Sequence, residues 1–429
     1  MIRSKLTFIL TGMLIFILAF ISCSDLLTSP EEETEKDEFI TENVLGKDVN
    51  SLLTMSDGFS EGTYINGVNG GGALYQISIP ETWNGDVVIY AHGFIPPQEP
   101  LRIQDDEIGG EKVSSIVNTM GFAFATTSYA TNGLIPPEVG ITDLDSLVNI
   151  FNRIVDKFYP EATINHIYLA GASEGGWLTT LAVERRPDLF SGGLCLCGPV
   201  GDFQKQLNYL GDFRVVFDYF FKNKIKGWTK WTQRSPEIAQ EIIDNWATFY
   251  KPAIEEAIIA YPYRTKQLLK VTRVPVEYDS PLAPIAVTSI LRYNITTIND
   301  IIDNKLGGVP YRNLRKWYSG SYNDFRLNRR IERFRGDRSA LAKIRSQYQS
   351  SGDLSIPIVM THTTRDEIVP YWHEPIYRAK VFMNGSGLFH TNFPVARYGH
   401  CNFEQEEVLR AFQWLIFKVK AQDKLLAAK

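Results

Sequence analysis

Apolar and polar positions along the chain change period several times, and each change marks an element. Residues 59–80 alternate, with Gly67, Gly70, Gly71 and Gly72 between Thr63-Tyr64-Ile65 and Leu74-Tyr75-Gln76-Ile77, which is a hairpin signature. Asn84-Gly85 turns the chain into Asp86-Val87-Val88-Ile89-Tyr90-Ala91, an apolar run that predicts a buried strand. A helix-compatible stretch from Gly110 to Met120 leads to a second apolar strand, Gly121 to Thr127. From Thr142 to Tyr159 the spacing becomes three-to-four, with Leu144, Leu147, Val148, Phe151, Ile154, Val155 and Phe158 on one side of a helix. The strand Ile167-Tyr168-Leu169-Ala170, the helix-like stretch Gly176 to Glu184 and the strand Gly192 to Cys197 follow. Strands alternating with helices at this rhythm predict an α/β fold with a mainly parallel sheet and helices on both faces.

The alternation stops near Gly201. Residues 202–350 are helix-like and aromatic-rich, with Phe213, Phe217, Tyr219, Phe220, Phe221, Trp228 and Trp231 close together. They read as a helical lid inserted into the sheet domain, which occupies 46–201 and 351–429. The insertion's last part, Arg312 to Arg345, holds eleven Lys/Arg against Asp324, Glu332 and Asp337. This is either a solvated helix face or a contact for an anionic substrate or membrane surface. The strand pattern resumes at Ile356 to Thr361 and around Leu388 to Val395, and a helix from Glu404 to Val419 closes the chain.

Composition supports this reading. Of the 429 residues 44% are hydrophobic and 12% aromatic, enough for a sizeable core. The first 22 residues stand apart from it. Arg3 and Lys5 precede an apolar run, Leu6 to Ile21, which is shorter than the roughly 20 residues that span a bilayer and reads as a secretory signal peptide. Ser22-Cys23 at its end resembles the lipobox of bacterial lipoproteins. That resemblance implies lipid on Cys23, attachment to a membrane and a place in the bacterial cell envelope (the outer membrane in a Gram-negative cell). Residues 23–45 then form an acidic tether, with Glu31, Glu32, Glu33, Glu35, Asp37 and Glu38 against Lys36, too charged to build a core. Loss of Arg3 and Lys5 takes the net charge from −5 to −7, which argues against a nucleic-acid partner. The cysteines, Cys23, Cys195, Cys197 and Cys401, have no zinc-site spacing, so no metal is expected.

Candidate chemistry begins at Gly171-Ala172-Ser173-Glu174-Gly175, between an apolar strand and a helix. A serine at such a corner has strained backbone angles, and glycines on either side let strand and helix pack closely. A serine hydroxyl is a weak nucleophile until an oriented base takes its proton. Asp366, in Thr363-Thr364-Arg365-Asp366-Glu367, follows the strand Ile356 to Thr361, and His400, in Tyr398-Gly399-His400-Cys401, follows the last strand. All three therefore fall beyond C-terminal strand ends, where parallel sheets bind ligands. Glu367 competes with Asp366 as the acid. His373 and His390 compete with His400 as the base, although neither sits on a loop. His92-Gly93-Phe94 follows the Val87–Ala91 strand, and the Phe94 and Glu174 amides are placed to hold an oxyanion, Gly93 allowing close approach. His92 itself reads as a packing residue, and Ser173 could still be an ordinary tight-turn serine.

Taken together, the Ser, Asp, His order and the strand–corner–helix setting resemble the α/β-hydrolase superfamily. The resemblance covers residues 70–200 and 350–420, with a cap where that superfamily often carries one. It implies Ser173 as nucleophile, His400 as general base and then acid, Asp366 as its orienter, and no cofactor. Ile79-Pro80 through Trp83-Asn84-Gly85-Asp86 also resembles exported bacterial esterases and some prolyl-oligopeptidase-like members. The tannase and feruloyl esterase group has cysteines beside both serine and histidine. Here Cys401 follows His400 but Ala172 precedes Ser173, so that group's disulfide is not expected. A bridge between Cys197 and Cys401, both at C-terminal strand ends, would fix the His400 loop; otherwise the two are small buried hydrophobes. The expected activity is hydrolysis of a small carboxylic ester. The alternatives are a serine peptidase on the same triad and a ligand-binding lipoprotein on an inactive scaffold.

Overall fold

The apolar runs and their glycine punctuation build an eight-stranded sheet. The computed structural model describes residues 62–222, 224 and 238–427. The expected signal peptide 1–22, Cys23, the expected tether 23–45, and Trp228 and Trp231 lie outside the described residues.

In chain order the strands are β1 (Gly62–Val68), β2 (Leu74–Pro80), β3 (Asp86–Ala91), the two-residue pair β4 (Glu107–Ile108) and β5 (Glu111–Lys112), β6 (Ala123–Thr127), β7 (His166–Ala172), β8 (Gly192–Leu196), β9 (Ile358–Arg365) and β10 (His390–Tyr398). The main sheet runs β1-β2-β6-β3-β7-β8-β9-β10. β1 pairs antiparallel with β2, and β2 with β6. From β6 to β10 every pairing is parallel, with Ala91 opposite Gly171 and Leu196 opposite Thr361.

Helices cover both faces, sorted by the two-residue alternation of the strands. Ile89 and Leu169 face a cluster with α2 (Pro137–Phe158) and α3 (Glu174–Arg185), which contribute Leu144, Phe151 and Leu178. Val88, Tyr90 and Tyr168 face the other way, towards α1 (Val113–Thr119) and a long C-terminal helix, Gln405–Ala427, which contributes Phe412 and Leu415. α2 begins five residues before the three-to-four pattern suggested. Pro137 stands in the first helical turn, where its missing N–H costs nothing. Gly140 lies where a Cβ would be 3.0 Å from Leu178. The closing helix continues past Val419 through Ala421-Gln422-Asp423-Lys424-Leu425-Leu426, residues of mostly good helix propensity that bury little.

Between β8 and β9 the chain leaves the sheet. α4 (Phe203–Phe220), α5 (Gln240–Asp244), α6 (Lys251–Ala260), α7 (Pro262–Thr272), α8 (Leu282–Asp300), α9 (Asp324–Arg330) and α10 (Arg338–Lys343) all lie there, three of them extended by π-helical turns at Trp246–Tyr250, Ile301–Leu306 and Ile344–Tyr348. Phe213, Phe217, Phe220 and Phe221 belong to an apolar cluster built mostly by this insertion. Its basic segment is largely a solvated surface: Arg312, Arg315, Arg326, Arg329 and Arg330 are exposed. Arg333 instead donates to the carbonyls of Asn313, Lys316 and Asn328. An open depression of about 400 Å³ lies among Arg315, Trp317, Phe325 and Arg329. After β9 come α11 (His373–Met383), β10 and the C-terminal helix, α12. Among the described residues no helix is long and apolar enough to cross a membrane.

Candidate active site

Ser173 joins β7 to α3 at φ 54° and ψ −117°, backbone angles costly for any residue with a Cβ and kept only where the surroundings impose them. The surroundings are backbone. The Ser173 amide donates to Leu196 O at 2.8 Å, and its carbonyl accepts from the Trp177 amide at 3.1 Å. A Cβ at Gly175 would stand 1.9 Å from Ala91 O, and one at Gly171 would stand 2.4 Å from Gly175 O. Both glycines are therefore demanded by packing between β3, β7 and α3.

The hydroxyl so presented meets His400. Ser173 Oγ and His400 Nε2 are 2.7 Å apart, and His400 Nδ1 is 2.7 Å from Asp366 Oδ2. Three strand ends thus deliver a hydroxyl, an imidazole and a carboxylate in line. Asp366 directly follows β9, which runs to Arg365 and ends four residues later than the apolar run suggested. Its other oxygen, Oδ1, accepts the amides of Ile368 at 2.9 Å and Val369 at 2.8 Å. Burial works to raise the Asp366 carboxyl, but the charge and hydrogen bonds of His400 and His362 outweigh it and hold the group well below the usual carboxylate range. The His400 turn is fixed from two sides. Thr363 Oγ1 donates to Gly399 O at 2.6 Å, and a disulfide joins Cys401 to Cys197 just past β8, with Cα atoms 5.5 Å apart.

The competing groups are occupied elsewhere. His373 opens α11, where Nδ1 accepts the Gly201 amide at 2.9 Å, leaving Nε2 to donate to Gln206 Oε1 at 3.0 Å. His390 stands at the start of β10, the opposite end from His400, against the Tyr377 ring. Glu367 is buried, and burial followed by the charge of Asp366 pushes its carboxyl up to about 7. His92 packs on Tyr129 with ring centroids 4.5 Å apart.

For the oxyanion, Glu174 is the first residue of α3, so its amide has no partner inside the helix. The Phe94 amide is not spent on another backbone carbonyl among the described residues. Gly93 does lie against Ser173. A Cβ there would be 3.4 Å from Ala172 O and 3.6 Å from Ser173 Cβ, ordinary contacts. The close approach exists, then, but does not require glycine. Phe94 meets Tyr293 of α8, ring centroids 5.6 Å apart, so the insertion reaches the site.

Two participants had no motif to announce them. His362, fully buried on β9, stands 3.4 Å from Asp366 Oδ2 and 3.0 Å from Glu374 Oε1 of α11. The available signal is its position four residues before Asp366, which in a strand returns to the same face.

No protein-family model matches the chain, and no curated protein matches it. Solved structures do. Feruloyl esterase B from Aspergillus oryzae superposes with a TM-score of 0.53 over 82% of this chain and 80% of its own, at 17% identity. This chain has the α/β-hydrolase fold. An esterase from Aspergillus oryzae (TM-score 0.44, 12% identity, 79% of this chain and 72% of its own) and an acylaminoacyl peptidase from Pyrococcus horikoshii (0.40, 11%, 86% and 43%) are more distant likenesses. In this α/β-hydrolase fold the candidate groups sit past the C-terminal ends of β3, β7, β9 and β10, on the side of the sheet that the insertion approaches through Tyr293.

Proposed function

We propose that the protein is a serine hydrolase that cleaves carboxylic esters through an acyl-enzyme. The observation that carries this reading is the continuous 2.7 Å and 2.7 Å relay from Ser173 Oγ through His400 to Asp366. Ser173 Oγ attacks the ester carbonyl while His400 Nε2 takes its proton, and the carbonyl oxygen becomes an oxyanion between the Glu174 and Phe94 amides. Asp366 keeps Nδ1 protonated and supports the imidazolium. The intermediate collapses when His400 returns the proton to the leaving alcohol. Water then repeats the sequence on the acyl-enzyme, with His400 as base, and releases the acid.

The test is fluorophosphonate labelling of the native protein beside Ser173→Ala, followed by turnover on short aliphatic, aromatic-acyl and peptide substrates. The likeness to a feruloyl esterase makes hydroxycinnamoyl esters one arm of that panel. Labelling confined to the native chain is expected, with ester turnover lost by several powers of ten in Ser173→Ala. Equal labelling or turnover in the variant would end the proposal. Cleavage of peptides in preference to every ester would move the activity to a peptidase.

A further inference from the structure

The carboxylate of Asp366 lies between two imidazole rings, and the second, His362, is enclosed by acceptors. Its Nε2 is 2.8 Å from Val369 O, a carbonyl that can only accept, so Nε2 carries a proton. The same nitrogen is 3.4 Å from Asp366 Oδ2. On the other side Nδ1 is 3.0 Å from Glu374 Oε1. All three side chains are sealed from solvent, His362 and Asp366 at 0% and Glu374 at 1%. Two arrangements satisfy these contacts: an imidazolium between two carboxylates, or a neutral ring accepting a proton from Glu374. The first places a positive charge beside Asp366, which is ionised in the relay and has no solvent to balance it, and so offsets the cost of that buried charge. Although burial works to lower the His362 ring, its hydrogen bonds to Asp366 and Glu374 push it up to about 10.

We propose that His362 is a positioning residue of the relay, an imidazolium shared between Asp366 and Glu374 that holds the acid loop in place and offsets part of the Asp366 charge. This rests on the reading of Ser173, His400 and Asp366 given above. His362 clamps the loop because Val369 gives its carbonyl to His362 while its amide binds Asp366 Oδ1. His362 also sets the charge that His400 meets. A cation on the far side of Asp366 opposes proton uptake on the near side. Of the other titratable and charged groups nearby, Tyr371 meets the His362 ring with centroids 5.7 Å apart, and the neutral His373 on α11 feels its charge. Glu367 lies beside Asp366 and Cys195 on β8 beside Glu374, and Lys205 on α4 and Lys380 on α11 act on His373. All of them stay in place in the variants below.

The decisive measurement is the proton count on His362 in the native protein, by NMR of a sample labelled with ¹⁵N-histidine, assigned by the signals missing from His362→Gln. Two ring N–H groups that persist from pH 5 to 9 are expected. Glu374→Gln keeps the side-chain volume and should leave His362 with one. In both variants the acidic limb of the kcat/KM profile is expected to move to higher pH. kcat should fall about tenfold, against the roughly 10²–10⁴ that a general base supplies, with KM changed less than about twofold. A single ring proton on native His362, or an unmoved pH profile in folded Glu374→Gln, would overturn the proposal. The NMR result does not depend on turnover, so a failure of the serine-hydrolase reading in Ser173→Ala would be recognised separately.

Discussion

Glu174 shows how closely structure and chemistry share residues at this site. Its amide opens α3 beside Ser173, and its side chain turns inward, where Oε1 accepts the Ile135 amide at 2.9 Å. Burial pushes its carboxyl up to about 8, the Ile135 amide and Lys305 pulling it down only in part. An unfolded glutamate ionises near 4.5. Between those two values the unfolded chain gives up a proton that the folded chain keeps, so rising pH costs stability, at up to about 1.4 kcal/mol per unit. Below the lower value the term vanishes, and above the upper it is constant. Glu174→Gln cannot ionise. Its melting temperature relative to the native protein should therefore start near equality at pH 4.5, climb through pH 8 and then level off. Glu367 has the same sign but is present in both proteins. A difference that stays flat from pH 4.5 to 8 would show that Glu174 is already ionised in the folded state.

At the scale of elements, the His400 turn is the part of the site with least secondary structure of its own, and the disulfide ties it to β8. Cys197 and Cys401 both have left-handed backbones, φ 46° and 49°, where L-residues seldom rest without external support. The bridge spans 204 residues, so losing it frees a long loop in the unfolded chain, at about 2–4 kcal/mol. Cys401→Ala is expected to lower the melting temperature accordingly, and to lower kcat because His400 sits one residue away. Reduction of the native protein should reproduce both effects. Unchanged stability in Cys401→Ala, with free thiols found by non-reducing peptide mapping, would count against the clamp. β3 and β8 were legible because their apolar runs are continuous and lie in the sheet interior. The second half of β9 was not. His362-Thr363-Thr364-Arg365 looks like a loop, and becomes strand because it pairs with β10, Pro394 opposite His362 and Val395 opposite Thr363, more than 30 residues away. His362 stayed hidden for the same reason: its partners come from a later loop and helix.

For the whole molecule, nothing in the sequence marks what the helices between β8 and β9 support, since those contacts join residues some 160 apart. Tyr209 on α4 donates to Glu367 O at 2.6 Å, and Gln206 Nε2 donates to Ile368 O at 2.8 Å. Ile368 and Val369 are themselves buried in the insertion's apolar cluster. The acid loop that carries Asp366 is therefore packed as much by the insertion as by the sheet. A lid that only covers substrate would, when perturbed, change KM and leave kcat alone. A support for the acid loop would do the reverse. Gln206→Met keeps the volume but strands Ile368 O and the His373 ring without their partner, which costs about 1–3 kcal/mol in a buried site. The expected result is a lower melting temperature together with a kcat loss of about tenfold or more, as Asp366 drifts from His400, at nearly constant KM on a short aliphatic ester. A variant with native kcat and raised KM would assign α4 to substrate contact and remove it from the relay's support.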